Sequence, residues 1–316
     1  MMIKSVLKYL IFLGILLATT LVKAQQDPQY TNYMYNMSVV NPAYATDTPE
    51  VINFGGFYRS QWVGAVGAPK TASIFVHSPI TEKIQMGLSF QNDEIGDVVS
   101  ENNIYVDFAY VLPVSDKNKI SFGLKGGFTL YDTNFDGFQY EDSNLDPAFE
   151  TNLNDAFPNI GAGVYFFSDK YYVGFSAPNL LTTRQFEQKN GVEVMGIDAI
   201  HYFFTGGYVF DLNPNLKFKP AFMAKAVSGA PISVDLTANF LIHNLVELGA
   251  AYRIDDAVSG LVNFSVTPNL RVGYSYDYTT TNFSNYNSGS HEIFLLFDLD
   301  RSNLKSKGYE KSPRFF

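Results

Sequence analysis

The densest group of potential metal ligands lies in an acidic stretch near the middle of the sequence. Asp132, Asn134 and Asp136 match the first half of a calcium-binding loop, in which alternate residues supply oxygen ligands. The twelfth position of such a loop needs a bidentate glutamate, but Ser143 stands there. The three residues are therefore calcium candidates, and a solvated acidic loop is the favoured alternative.

The histidines and cysteines give little support for catalysis. No nucleophile motif G-x-S-x-G and no zinc motif H-E-x-x-H occurs in the sequence. Cysteine is absent, which excludes disulfides and thiolate metal sites. We therefore predict a protein that is not an enzyme and needs no cofactor, with a surface hydrolase as the open alternative. The four histidines, which are scattered along the chain, are His77, His201, His243 and His291.

The first 24 residues are typical of a cleaved secretion signal. Lys4 and Lys8 precede an apolar run at residues 9–21, and residues 22–24 suit a signal peptidase. We predict that this signal peptide is removed before Gln25. Loss of its three lysines lowers the formal net charge from −9 to about −12. A chain this acidic is unsuited to nucleic acid, which requires cations to neutralise its phosphates.

From residue 50 onward, apolar and polar residues alternate with the period of a β-strand. The apolar face is unbroken, and charged residues on the strands fall almost only on the polar face. A charge that faces lipid at mid-depth costs about 2–4 kcal/mol, and only a closed sheet pairs all its backbone groups. We therefore predict an all-β fold, a transmembrane antiparallel outer-membrane β-barrel over residues 50–299. Its fourteen predicted strands are 50–60, 69–78, 82–93, 99–112, 118–131, 157–168, 170–177, 199–211, 214–227, 231–242, 245–254, 257–267, 269–278 and 290–299.

The connections between these strands differ in length according to parity. With a periplasmic N-terminus, the connections that face the periplasm are all tight. The outward set includes three long ones, at residues 132–157, 178–200 and 279–289. Outer-membrane barrels show this asymmetry, whereas a soluble sandwich has no reason to sort its loops in this way.

Charged residues on the polar faces are predicted to line the lumen. Their mixed signs favour ion pairs across the lumen, or a plug, over a selective ion path. The predicted lumen-facing residues are Asp107, Lys125, Lys217, Lys219, Lys225, Asp235, Glu247, Arg253, Arg271, Asp277 and Glu292.

Residues 25–45 are rich in Tyr, Asn and Gln, and they fit neither an amphipathic helix nor an alternating strand. Their motifs Q-D-P-Q-Y-T-N-Y-M-Y-N and N-P-A-Y-A resemble the opening of the PorP/SprF family. Y-R-S-Q-W at residues 58–62, N-I-G-A-G-V-Y-F at 159–166 and Y-Y-V-G-F-S-A-P-N-L at 171–180 extend the resemblance. The family implies a Gram-negative outer-membrane protein of the type IX secretion and gliding machinery. It implies support for secretion and surface attachment of a cognate cargo, commonly an adhesin with a C-terminal targeting domain.

We predict that residues 25–49 form an N-terminal periplasmic or plug segment, and that residues 300–316 form a basic periplasmic tail. Trp62, the only tryptophan, is either an interfacial anchor or a contact for a partner. The expected partners are a secreted cargo protein, secretion components and outer-membrane lipid, and the alternative function is a channel for small solutes. The partner-binding candidates are Gln26, Asp27, Pro28, Tyr30, Tyr33, Met34, Asn41, Pro42, Tyr44 and Trp62.

Overall fold

A computed structural model describes most of the chain after the signal sequence. The described residues are 29–46, 48, 50–96, 98–135, 152, 154–181, 199–228 and 230–300. The predicted signal peptide and the predicted tail beyond Asp300 lie outside them.

The described chain is a meander of strands after a short helical segment. The strands are β1 (Val51–Ser60), β2 (Lys70–Pro79), β3 (Ile84–Ile95), β4 (Val99–Pro113), β5 (Lys119–Thr133), β6 (Asn154–Phe167), β7 (Tyr171–Ala177), β8 (His201–Tyr208), β9 (Phe210–Asn213), β10 (Leu216–Val227), β11 (Ser233–Ile242), β12 (Val246–Arg253), β13 (Ala257–Thr267), β14 (Leu270–Thr279) and β15 (Ser290–Asp300).

The sheet closes on itself. Apart from β8 and β9, consecutive strands pair antiparallel, and β1 pairs with β15 from Val51 opposite Asp300 to Ser60 opposite His291. Because β8 and β9 both pair with β10, they form two halves of one barrel strand. The prediction of a closed fourteen-stranded antiparallel barrel is confirmed.

The eighth barrel strand was predicted to be continuous over residues 199–211, and this detail is wrong. The strand is interrupted at Val209, where pairing with β10 is lost, while its N–H continues the β7 side by donating to the carbonyl of Lys170 at 2.7 Å. The registers on either side place the break opposite Lys219 and Pro220 of β10. Proline has no N–H to donate, so the ladder cannot run unbroken past it.

The two faces of the barrel differ in chemistry. Large apolar side chains project outward and stay exposed, as lipid contact requires, while polar and charged side chains on the alternate positions are buried inside. Among the described residues, no helix is long and apolar enough to cross a membrane. Representative outward residues are Leu88, Ile104, Leu124, Phe128, Leu236 and Val262.

The two ends of the barrel also differ. One end, here called the turn end, carries the tight connections that follow β2, β4, β6, β9, β11 and β13. The other, the outward end, carries the long connections after β5 and β7 and the loop between β14 and β15. Short turns face the periplasm in outer-membrane barrels, so the prediction that the long connections face outward refers to this second end.

Residues 29–46 lie inside the barrel and are called the inner segment. It contains a 3-10 turn at Tyr33–Tyr35 and one short helix, α1 (Met37–Val40). Its apolar side chains belong to the same buried cluster as Phe57, Phe75 and Phe294 of the wall. The segment and the inward-facing apolar residues of the wall thus share one buried core inside the lumen.

Candidate functional site in the barrel lumen

A first cluster holds the beginning of the inner segment in the outward half of the lumen. Arg59 of β1 lies 2.7 Å from the carboxylate of Asp277 and 3.2 Å from that of Glu292. The backbone N–H groups of Thr31 and Asn32 each donate to Glu292 at 2.9 Å. The Thr31 hydroxyl lies 2.7 Å from Asp277. Since all five residues are buried, the pairing is shielded from solvent and supports the segment strongly.

A second cluster holds the segment near the turn end. Lys219 of β10 lies 2.7 Å from Glu247 of β12, and Arg271 of β14 lies 3.8 Å from the same carboxylate. The Tyr35 hydroxyl donates to Glu247 and accepts from Lys219 at 3.0 Å. Burial raises the pKa of Tyr35 well above its usual value, so the phenol keeps the proton that it donates.

The inner segment also reaches the opposite wall. The Lys125 ammonium on β5 donates to the carbonyl of Val39 at 2.9 Å, and the Ser176 hydroxyl on β7 donates to that of Val40 at 2.9 Å. In the strand order, β5 lies six of the fourteen barrel strands from β12, which Tyr35 contacts, and β7 lies seven from β15, which carries Glu292. The segment therefore crosses the lumen from wall to wall.

Two strand glycines make this close approach possible. A Cβ atom on Gly123 of β5 would lie 2.2 Å from the backbone nitrogen of Ala43. A Cβ on Gly163 of β6 would lie 2.1 Å from the side-chain oxygen of Asn41. Any larger residue would displace the inner segment, so these glycines belong to its binding site. The sequence shows them as strand glycines but gives no sign of what approaches them.

The predicted partner-binding residues of the inner segment all lie inside the barrel where the structure describes them. The described ones are buried inside the barrel or packed against its wall, so the structure shows them in contact with their own chain. Their role as contacts for a secreted partner stays a prediction. The described members are Tyr30, Tyr33, Met34, Asn41, Pro42 and Tyr44, whereas Gln26, Asp27 and Pro28 lie outside the described residues.

Trp62 lies on the outward loop after β1. Its ring packs edge-on against Phe283 of the β14–β15 loop at 5.0 Å between centroids. The N–H of Val63 donates to Gly289 at 2.8 Å, and the N–H of Ser288 donates to Val63 at 2.7 Å. The tryptophan therefore joins two outward loops above the β1–β15 seam.

The predicted lumen-facing residues lie on the inner face of the wall. Lys217 is half-buried near the turn end, and the others are buried. The buried members are Asp107, Lys125, Lys219, Lys225, Asp235, Glu247, Arg253, Arg271, Asp277 and Glu292.

The calcium candidates do not form a site within the described residues. Asp132 lies at the outward end of β5 and accepts from the Asn154 side chain at 3.4 Å. Asn134 donates its backbone N–H to Val98 at 2.7 Å, and Asp136 lies outside the described residues. In the part of the chain that the structure describes, no three histidine or carboxylate side chains are placed to hold a metal ion.

A cavity lined by apolar, polar and charged side chains lies between the inner segment and the outward end. Its floor is formed by Tyr30, Tyr33 and Val40. Pro178 and Asn179, which follow β7, form part of its wall. We call this space the vestibule.

The type IX secretion system membrane protein PorP/SprF family model matches residues 22–297. The chain belongs to this family. As a lipid-facing barrel of this PorP/SprF family, it is located in the outer membrane of a Gram-negative bacterium and is a membrane component of type IX secretion. The predictions of family and location are therefore confirmed.

Comparisons with other proteins add the following findings. No curated relative matches the sequence. A solved structure of a Pseudomonas aeruginosa FadL homologue has 11% identity over 79% of this chain and 89% of its own, with a TM-score of 0.42. Omp33 of Acinetobacter baumannii has 11% identity over 80% of this chain and 100% of its own, with a TM-score of 0.40.

Proposed function

We propose that this PorP/SprF protein supports the secretion and surface attachment of one cognate protein, an adhesin-like cargo with a C-terminal targeting domain. The observation that carries the proposal is the filled lumen. The inner segment crosses it between two buried ion clusters, so the barrel offers a cell-surface platform with an outward vestibule. Membership in a family of type IX secretion membrane proteins supplies the class of partner.

The alternative, a channel for small solutes, requires an open path through the same space. Tyr33, Met34 and Met37 of the inner segment are each at most 2% exposed, so they pack tightly against the wall. An ion that follows the lumen would have to displace these side chains together with their buried partners. The geometry therefore favours a platform over a channel.

A surface hydrolase needs a histidine next to a nucleophile and a carboxylate. The His77 ring packs against Tyr44 at 5.1 Å, and His291 is hydrogen-bonded to the Tyr274 hydroxyl at 2.7 Å. Both arrangements serve packing of the wall and of the inner segment. We therefore propose that the protein is not an enzyme.

Quantitative affinity capture tests the proposed function. The protein, with an affinity tag beyond the last strand, is purified from outer membranes in mild detergent, and co-purifying proteins are compared with those from an untagged strain. We expect one secreted protein with a C-terminal targeting domain, and we expect its amount on the cell surface to fall when the barrel gene is deleted. Unchanged surface levels of all such proteins in the deletion strain would contradict the proposal.

A further inference from the structure

Strand β6 has one partner along its whole length and another along only half of it. It pairs with β5 from Asn154, opposite Asp132, to Phe167, opposite Lys119. Pairing with β7 begins only at Ala162, opposite Ala177. On the β7 side, no described strand pairs with residues 154–161. The last backbone–backbone bond there is from the N–H of Leu180 to the carbonyl of Ile160 at 2.8 Å, and the N–H of Leu181 donates to the Asn159 side chain at 3.4 Å. Residues 154–159 are called the free edge.

The backbone groups that this edge presents can be assigned. The bond from Leu180 shows that the carbonyl of Ile160 points away from β5. Because backbone groups alternate in direction along a strand, those of Asn154, Ala156 and Pro158 point the same way. Pro158 lacks an N–H, as is typical of edge strands. The free edge therefore offers two N–H groups and three carbonyls.

The depth of the free edge limits what can cover it. Pro158 pairs with Phe128, whose exposed ring belongs to the lipid-facing belt, whereas Asn154 pairs with Asp132 above the belt. Unpaired backbone groups are not tolerated against lipid, so a protein strand is the suitable cover at the lower end of this edge.

The chain that follows β7 leaves the barrel wall next to the free edge. A Cβ atom on Gly161 would lie 2.3 Å from the carbonyl oxygen of Pro178, which shows how closely the chain after β7 crosses β6. Pro178 is buried and lines the vestibule. The free edge therefore borders the vestibule at the outward end.

The surroundings of the free edge are acidic. Asp132, Asp155 and Glu94 are exposed on the outward ends of β5, β6 and β3. Among the described residues of 93–103, 128–135 and 152–159, there is no lysine or arginine. Complementary charge favours an incoming strand that carries lysine or arginine.

We propose that the free edge of β6 binds an extended, basic segment of the secreted partner by β-strand addition. This inference rests on the proposed function, because it takes the secreted protein as the occupant. Main-chain hydrogen bonds to Asn154 and Ala156 provide the affinity, and the acidic side chains around them select the charge of the segment.

The first test is a proline substitution at the free edge. Ala156→Pro removes an N–H that points away from β5, so the β5–β6 ladder keeps its bonds, while Ala156→Ser keeps the N–H. We expect the proline variant to retain about three- to tenfold less of the secreted protein identified by affinity capture, because at least one hydrogen bond is lost. The serine variant should retain the normal amount.

The outcomes of this test separate the two proposals. Capture by the unmodified protein together with equal capture by a folded Ala156→Pro barrel would overturn strand addition and leave the proposed function intact. Absence of any secreted protein from the unmodified capture would instead count against the function itself. Folding of each variant is checked by heat-modifiable migration of the barrel in gels.

Amide hydrogen exchange of the unmodified protein provides a second test that needs no variant. In the isolated barrel, the N–H groups of Asn154 and Ala156 should exchange fast, while those of Asp155 and Phe157, which face β5, should exchange slowly. Binding of the secreted protein should slow the first pair. Slow exchange of Ala156 in the barrel alone would show that its own chain covers the edge, and protection that grows with barrel concentration would indicate a second copy. Either result would overturn the proposal.

Discussion

The two ion clusters hold the inner segment in different ways. At the outward cluster, Glu292 accepts hydrogen bonds from the backbone N–H groups of Thr31 and Asn32. At the turn-end cluster, Glu247 contacts the segment through the hydroxyl of Tyr35. The first arrangement depends on the wall carboxylate, and its backbone hydrogen bonds do not depend on which side chains stand at positions 31 and 32. The second depends on one tyrosine. Both place a carboxylate between wall cations and the segment.

Removing both carboxylates should have the largest effect on the protein. The double variant Glu292→Ala, Glu247→Ala removes one of the two anions beside Arg59 and the carboxylate that Lys219 and Arg271 share. It also removes the hydrogen bonds that the segment makes to these two carboxylates. We expect the inner segment to leave the lumen and ion conductance to appear in planar bilayers. The unmodified barrel should show none.

A charge-matched control is available on the surface. Glu82→Ala, Glu94→Ala removes the same number of charges from exposed positions and should remain silent. Conductance by the unmodified protein would support the channel alternative. A folded but silent lumen variant would show that contacts at the opposite wall, such as that between Lys125 and Val39, hold the segment by themselves.

The single variants compare the clusters directly. Removing one partner of a buried ion pair costs about 3–5 kcal/mol. Glu292→Ala also removes acceptors for two backbone N–H groups and for the Asn32 side chain at 2.9 Å. We therefore expect Glu292→Ala to lower the free energy of unfolding in urea more than Glu247→Ala does. The reverse order would mean that the turn-end cluster, with its two cations, is the stronger anchor.

The sequence predicts the wall far better than its contents. Strand positions follow from a side-chain period of two, which is a local property, so most predicted bounds lie within a few residues of those observed. The break at Val209 was missed because it depends on the proline of the neighbouring strand. The path of the inner segment depends on contacts such as that between Asn32 and Ser275, 243 positions apart in the chain. No local pattern encodes such pairs.

The same limit applies to the roles of individual side chains. Alternation assigns Lys219 and Glu247 to the polar face of the wall. It does not show that Tyr35 reaches the pair, because aromatic residues in a polar segment have no periodicity that fixes their direction. The sequence also does not explain Gly123 and Gly163. The inner segment that packs against them lies about 80 or more positions earlier in the chain.

A conservative change at Tyr35 should have a smaller effect than loss of a carboxylate. Tyr35→Phe removes the hydroxyl that bonds Glu247 and Lys219, but it keeps the ring, which packs against Phe294 at 5.0 Å between centroids. We expect a loss of about 1–3 kcal/mol in the free energy of unfolding, as for hydrogen bonds to charged groups. Tyr58→Phe on the exposed outer face is the control and should leave stability unchanged.

The smallest effect is expected at an ion pair outside the lumen whose N···O distance equals that of the Lys219–Glu247 pair. Lys170 and Asp211 lie 2.7 Å apart at the turn end, the same distance as Lys219 and Glu247. The Lys170 and Asp211 side chains are 55% and 46% exposed, against 1% for each member of the lumen pair. Water and salt screen the exposed pair, so Asp211→Asn should leave the urea midpoint unchanged. A fall comparable to that of Glu247→Ala would show that distance, and not burial, decides the strength of ion pairs in this barrel.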